Sequence, residues 1–430
     1  MALNMDKHST SSALDAIRKR LLGKKLTYKE IYSIMDAIAN KKLGDVLTTY
    51  FTASGYSKGF TDQELYFLTK AMVETGERLQ FTGIVADKHS IGGVPGTRTT
   101  LIVVPIVAAA GFTIPKSSSR AITTPGGTAD VMEVLSPVDF DKEKIYDIVK
   151  KTNGCIVWGG SFNIAPADDE IIRIEEPLLF ESYDKILVSI MAKKVAFGSN
   201  HIVIDIPYGQ TVKVHTLKDA EFIKEKFGVL AKRFRIKIRC LIHKTEQPAG
   251  RGLGPILEAR EALRVLQQKP NRPADLEIRA LNLASNLLEL CLEDSPKTLK
   301  KEIKQNFGNC YGWATNILQS GEAFLKMKEI IKAQGGNAHI DSAALTPGKH
   351  SYNVKAKKSG TVKMINSKNA TILARILGAP SDKKAGIYLE KKIGEKVEKD
   401  DILFTLYSQK EYLLKEAKDS LQNFPVIMYY

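Results

Sequence analysis

The sequence predicts an α/β protein in three parts, and three changes of pattern predict it. Up to about residue 78, apolar residues recur at helical spacing only. From Gly83, short apolar runs alternate with helical segments, a pattern that argues for a mostly parallel sheet covered by helices. From about residue 345, strand-like runs are separated by turns of Gly, Lys and Asp, which reads as a small C-terminal α+β unit. The 430 residues suffice for two or three domains with a sizeable core.

Taken in order, Ser12-x-x-Asp15, Thr27-x-x-Glu30 and Thr61-x-x-Glu64 each read as a helix start. Ile31, Met35 and Ile38, and then Leu65, Leu68 and Met72, give the following helices their buried faces. Gly83 to Ala86 and Gly111 to Ile114 read as strands. Thr99 to Ala110, apolar on every side, reads as a buried helix despite Pro105. Asp141 to Lys151 reads as a surface helix, Cys155 to Trp158 as a strand, and Ala167 to Val195 as helical again. Ile202 to Ile206 and Ile236 to Ile242 are further strands around a helix at about Asp219 to Arg233. The turn Gly250 to Gly254 opens a helix from Ile256 to Gln267, and helices continue to Gly335-Gly336. Ser359 to Val362, Ile387 to Leu389 and Ile402 to Tyr407 read as the C-terminal strands.

The chemistry concentrates between Asp87 and Asp130. Asp87-Lys88-His89-Ser90-Ile91-Gly92-Gly93 and Ser117-Ser118-Ser119-Arg120 through Thr128-Ala129-Asp130 are two loops of one design, each following a strand and preceding a helix. Glycines let backbone N–H groups approach a ligand, and helix N-termini favour anions. Hydroxyls and a lysine add donors. Two such loops in tandem make a phosphate cradle with a histidine inside it. Neither is a Walker loop, since no Gly-Lys-Ser/Thr ending follows. Gly250-Arg251-Gly252-Leu253-Gly254 lacks the dinucleotide spacing. An unperturbed imidazole titrates near neutrality, so His89 is the candidate general acid.

Composition narrows the class. Four cysteines, Cys155, Cys240, Cys291 and Cys310, lie far apart and form no Cys-x-x-Cys pair, so neither zinc nor a disulfide framework is expected. The first twelve residues lack an apolar signal core, and the longest apolar run, Leu101 to Ala110, is too short to span a bilayer. A cytoplasmic protein with no membrane partner is expected. The net charge of +15 raises nucleic acid as a partner, but the basic residues are dispersed and no aromatic-interleaved patch accompanies them. Anionic small substrates account for the charge, and no nucleic acid partner is expected.

Lys88-His89-Ser90-x-Gly92-Gly93 and Gly126-Gly127-Thr128-x-Asp130-x-x-Glu133 resemble the thymidine phosphorylase family of nucleoside phosphorylases, over nearly the whole chain from about Ser12. The resemblance implies a pentosyltransferase acting on a nucleoside and phosphate, without a cofactor or metal, as a homodimer. It implies a discontinuous helical domain, residues 1–78 completed by about 167–195. It implies a phosphate-binding α/β domain, 79–166 and 196–336. The last part, 337–430, is similar to a small α/β hammerhead domain. Lys88, Ser90, Thr99, Ser118 and Thr128 fall on the family's phosphate-contacting positions, with backbone donors around Gly93 and from Ser119 to Thr124. Ser189 and Lys193 fall on positions that contact the pyrimidine. The arginine that the family places upstream falls on Ile174 or Glu175 here, beside Arg173.

The same region is similar to a second branch, the AMP phosphorylases, through Ser118 to Thr123, Trp158-Gly159-Gly160 and Ala165 to Asp169. That branch implies cleavage of a nucleoside 5′-monophosphate to a free base and ribose 1,5-bisphosphate. It puts an acidic proton donor at Glu181, where its members have aspartate, and a further binding lysine at Lys213. Its members usually carry an additional N-terminal domain, whereas this chain starts at the helical one. The leading expectation is therefore a thymidine-type phosphorylase, releasing thymine and 2-deoxyribose 1-phosphate. An AMP phosphorylase is the alternative. A phosphoribosyltransferase and an inactive binding homologue are more distant readings.

Overall fold

The computed structural model describes residues 2–121, 124–161, 163–175 and 182–430. It opens with four helices: α1 (Ala2–Leu21), α2 (Tyr28–Ala39), α3 (Gly44–Lys58) and α4 (Asp62–Glu74). Thr27 and Thr61 cap α2 and α4 in full capping boxes, each with the glutamate three residues on. Ser12 does not start a helix, because α1 already runs from Ala2. Ile31, Met35, Ile38, Leu65, Leu68 and Met72 are all buried, as their spacing predicts.

A parallel sheet follows. Its strands are β1 (Ala86–Ser90), β2 (Ile114–Ser118), β3 (Gly154–Trp158), β4 (His201–Tyr208) and β5 (Lys237–Lys244). β1, β4 and β5 pair in that order, β2 pairs with β3, and a parallel bridge from Val85 to Thr113 joins the two sets. The first two strands start later than the apolar runs Gly83 to Ala86 and Gly111 to Ile114. Asp87, Lys88, His89 and Ser90 are thus strand residues, and so are Ser117 and Ser118. Charged side chains in a buried strand do not read as a strand in sequence. They are tolerated here because partners from distant elements meet them.

The helices of this part are α5 (Thr100–Ala109), α6 (Thr128–Met132) and α7 (Lys142–Thr152), then α8 (Pro166–Glu175) and α9 (Tyr183–Ala196). α8 packs on α2 and α4, and α9 packs on α4, so the chain returns to its first helices. After β4 come α10 (Leu217–Phe234), α11 (Pro255–Leu266) and α12 (Ala274–Leu292). The last of this part are α13 (Lys297–Phe307), α14 (Cys310–Gln319) and α15 (Glu322–Ala333). α5 is buried on every side, with α12 and α15 packed against it. Among the described residues no helix is long and apolar enough to cross a membrane.

The C-terminal part is antiparallel. A two-residue strand from the α/β part, β6 (Gly252–Leu253), forms the edge of its larger sheet. That sheet continues with β9 (Gly386–Leu389), β11 (Ile402–Ser408) and β7 (His350–Lys355). The second sheet is β10 (Lys396–Val397), β8 (Gly360–Ile365) and β12 (Ile427–Tyr429). Helices α16 (Ser367–Ile376) and α17 (Glu411–Asp419) pack together beside the strands.

Candidate active site

Strand β1 carries the first functional run at its carboxyl end, where ligands of parallel sheets bind. Successive side chains alternate between faces. Lys88 and Ser90 turn one way. Lys88 Nζ donates to Thr99 Oγ1 at 2.7 Å, and Ser90 Oγ donates to Asp205 Oδ2 at 2.9 Å. Asp205 lies opposite Ser90 on β4, and its Oδ1 is 3.2 Å from His243 Nδ1. Asp87 turns the other way and accepts from Lys194 Nζ of α9 at 2.7 Å. Lys88 is 2% exposed, and burial pushes its ammonium down to about 8. Burial, reinforced by Lys194, Lys116, Lys88 and Lys193, holds the His89 imidazole well below its ordinary value, so it is neutral at neutral pH.

The loop after β1 must pass close to Lys213. Gly93 has φ +81°, and a Cβ there would sit 2.7 Å from the Lys213 backbone nitrogen. The second loop is closed by Asp130, whose Oδ2 accepts from the N–H groups of Ala121 at 2.7 Å and Gly127 at 2.8 Å. A Cβ at Gly127 would fall 2.4 Å from Ser119 O, so only glycine lets this loop fold on itself. Arg120 grips Glu133 through two bonds of 2.8 and 2.9 Å, which pushes the Glu133 carboxyl down to about 2. Lys383, from the C-terminal part, reaches Asp130 at 3.1 Å and Glu133 at 2.8 Å.

The facing wall comes from α8, α9 and the segment after β4. Ser189 Oγ donates to Asp168 Oδ2 at 2.7 Å, and Lys193 Nζ lies 2.7 Å from the same oxygen. Lys185 is ion-paired with Glu175. Burial pushes Lys185 down to about 8, with Lys213 and Lys193 adding repulsion. Ile172, Ile186 and Ile190 supply apolar surface. Arg173 points away and pairs with Glu170 and Asp45 on the exterior.

One cavity gathers Lys88, His89, Ser90, Gly93, Ser118, Ser119, Thr128, Ser189, Lys193 and Lys213. Thr99 is 1% exposed, and its Oγ1 accepts from Lys88 Nζ. Glu181 lies outside the described residues, as do Ile122 and Thr123. Sequence reasoning missed Arg98, Lys116, Arg120, Lys185, Asp205 and Arg279, which line the same cavity. Arg98 and Arg120 stand inside the loop motifs and could have been found there; the others have no local signal. Arg98 donates to Thr128 Oγ1 at 3.0 Å and pairs with buried Glu258 at 2.8 Å. The Ser118 hydroxyl is buried and makes no hydrogen bond within the protein. Among the described residues no group of three or more His, Cys, Asp or Glu side chains could hold a metal ion. The arrangement can hold an oxyanion between two loops and set a neutral imidazole beside it.

Comparison with known proteins matches this architecture. Residues 14–76 match the glycosyl transferase family helical bundle domain, and residues 82–324 its a/b domain. Residues 361–427 match the pyrimidine nucleoside phosphorylase C-terminal domain. The chain is 42% identical over 416 residues to the AMP phosphorylase of Thermofilum pendens, covering 96% of this chain and 78% of that one. It is 42% identical over 412 residues to a Legionella pneumophila protein named "Putative thymidine phosphorylase", covering 96% and 77%. Among solved structures, the anthranilate phosphoribosyltransferase of Thermus thermophilus shares the fold. Its TM-score is 0.59 at 18% identity, over 74% of this chain and 99% of that one. With these domains in this order around this cavity, the chain belongs to the nucleoside phosphorylase family of pentosyltransferases.

Proposed function

We propose that the chain catalyses phosphorolysis of a nucleoside N-glycosidic bond and that its substrate carries a 5′-phosphate. The observation that carries the second part is the grouping of charge in the cavity. Arg98 and Arg279 repel the Lys88 ammonium on the cradle side, while Lys213 and Lys193 repel that of Lys185 in a second group. Mutual repulsion and burial already act on Lys185, and an anion between these lysines relieves both. Two cationic groups suit two phosphates, the inorganic one and the one on the substrate.

In this reading, Lys88, Ser90, Ser118, Ser119, Thr128 and the backbone near Gly93 hold inorganic phosphate, and Thr99 fixes Lys88. The buried Ser118 hydroxyl supports this, since an oxyanion gives it the partner it lacks. A phosphate oxygen forms a bond to the sugar's anomeric carbon as the C–N bond breaks, and the electron pair leaves with the base. His89, neutral, donates an N–H hydrogen bond to the departing base. Glu181, by the resemblance, returns a proton to it. Ile172, Ile186 and Ile190 offer an apolar face to the base. The products are a free base and ribose 1,5-bisphosphate. The exposed Leu21 and Leu22 at the end of α1, and Val46 and Tyr50 of α3, support the homodimer that the resemblance implies, and four free cysteines fit the cytoplasm.

A second reading, the thymidine type, rests on the Ser189–Asp168–Lys193 cluster, which offers polar contacts to a pyrimidine. The test is to incubate the protein with phosphate and thymidine, uridine, AMP or CMP, and to follow free base. Release from monophosphates is expected; release from thymidine alone supports the second reading, and no release from any of them removes both. Lys213→Met should raise the KM for the monophosphate about tenfold and leave that for inorganic phosphate within twofold. Equal rises would assign Lys213 to the cradle.

A further inference from the structure

Strand β5 carries a histidine that has no part in the roles above. In the parallel register of β4 and β5, Asp205 pairs with Leu241 and Pro207 with His243, so these four side chains share one face of the sheet. Helix α12 packs on that face, and its Arg279 reaches over to line the cavity. An N–H of the Arg279 guanidinium donates to His243 Nε2. The other ring nitrogen, Nδ1, lies 3.2 Å from Asp205 Oδ1, and Asp205 Oδ2 accepts from Ser90 Oγ at 2.9 Å. A line of polar contacts thus runs from Ser90 through Asp205 and His243 to Arg279, across β1, β4, β5 and α12.

The donors and acceptors fix the state of the ring. A guanidinium only donates, so Nε2 offers its lone pair, and the single ring hydrogen sits on Nδ1, facing the Asp205 carboxylate. An imidazolium would turn an N–H toward the guanidinium, with two cations in contact and no acceptor between them. The charged groups around the ring come from three elements: Asp205 from β4, Arg279 from α12 and Lys88 from β1. α10 packs on the other face of β5, with Ile238, Cys240 and Ile242. Burial, opposed by Asp205 and reinforced by Arg279 and Lys88, holds the His243 imidazole below its ordinary value. The side chain is still 27% exposed, so solvent can deliver a proton to it. That proton takes the Nε2 lone pair, and the contact with Arg279 is lost.

From this line of contacts we infer that His243 is a positioning residue. Its unprotonated Nε2 holds Arg279 in the cavity, where the guanidinium meets an oxyanion of the substrate, and turnover falls on the acid side as the ring takes a proton. The inference rests on the phosphorylase reading and adds to it a support from outside both cradle loops. A guanidinium held at one N–H keeps its plane and presents the rest of its fork, whereas a released one has to be ordered anew at each turnover. In the phosphorylase reading two oxyanions enter the cavity, inorganic phosphate and the phosphate of the nucleotide, and initial rates tell them apart.

Base release by the full chain, followed as kcat/KM from about pH 5 to about pH 9, tests this in the wild type, His243→Gln and His243→Leu. The wild-type value should fall with falling pH below about 6.5. A glutamine amide offers Arg279 an oxygen that does not titrate. His243→Gln should therefore keep about a third of the wild-type value at about pH 8 and lose less of it on the acid side than the wild type does. His243→Leu should lose about 10–10²-fold at that pH, the cost of a displaced binding group. Ionisations elsewhere, those of the substrate phosphates included, bend all three profiles alike, so their difference isolates His243. With phosphate and nucleotide varied in turn, the KM that rises in His243→Leu identifies the oxyanion; a rise in neither overturns the inference. Equal acid limbs in the wild type and His243→Gln overturn it too. Nitrogen NMR of the unliganded wild type gives a check that needs no activity. Protonated Nδ1 and unprotonated Nε2 are expected for His243 at neutral pH, and the opposite tautomer overturns the inference alone. Absence of base release from every nucleoside and nucleotide overturns the phosphorylase reading and the inference with it.

Discussion

Lys88→Met should lose phosphorolysis by about 10³ in kcat/KM, the scale of a well-placed transition-state donor, and yet melt no lower than the wild type. Activity and stability part company here because Lys88 is a buried cation. Its ordinary value near 10.5 is pushed to about 8 by burial, a shift that corresponds to roughly 3 kcal/mol of strain in the folded state. The sign follows from proton counting. Between about pH 8 and 10.5 the unfolded chain holds the proton that the folded chain has released, so stability contributed by this group rises with pH there. Below pH 8 both states are protonated and the full penalty applies. The Tm advantage of Lys88→Met should therefore be largest below pH 8 and fade as the pH climbs toward 10.5. Thermal melts of both proteins at pH 7.5 and 10, beside base-release assays, decide it. A variant that keeps more than a tenth of the activity, or melts lower at both pH values, refutes the argument. The site holds a destabilising group for its chemistry, a common trade at active sites.

His89→Ala should lower kcat by about 10²–10⁴ while phosphate still binds within a few-fold of wild type. The size of the loss does not reveal the state of the imidazole; the pH profile does. Burial and four surrounding lysines keep the ring neutral at neutral pH. An imidazolium donor would make kcat/KM fall through the ordinary histidine range as pH rises, whereas a neutral N–H donor leaves no such limb. His89→Asn, which retains an N–H, should therefore recover part of what His89→Ala loses. A falling limb near neutrality that disappears in His89→Ala, with no recovery in His89→Asn, would restore the protonated acid.

The features that sequence revealed are those whose cause is local. The capping boxes at Thr27 and Thr61 need only four consecutive residues, and both formed. The two cradle loops were legible because glycine and hydroxyl spacing is itself the device. Ser12 misled because the same pattern occurs inside a longer helix. The start of β1 was missed because Asp87 and Lys88 look like surface residues until Lys194, more than a hundred residues on, neutralises one of them. Asp205 and Arg279 reach the cavity only through the order of strands and the placement of α12, which no local pattern encodes.

The edge strand at Gly252–Leu253 has a consequence for how the molecule matures. Residues 248–254 lean on both sides. Gly250 N–H donates to Gly96 O beside the first loop, while Lys392 bonds the carbonyls of Pro248 and Gly250, and β9 pairs with Gly252 and Leu253. On the ribosome, the loop at Gly92 to Gly96 emerges some three hundred residues before the segment between β9 and β10 that props it from behind. Domains fold in the order in which they leave the exit tunnel. A nascent chain can thus own every residue of the first loop and still lack the contacts behind it, which form only when the segment around Lys392 has been translated.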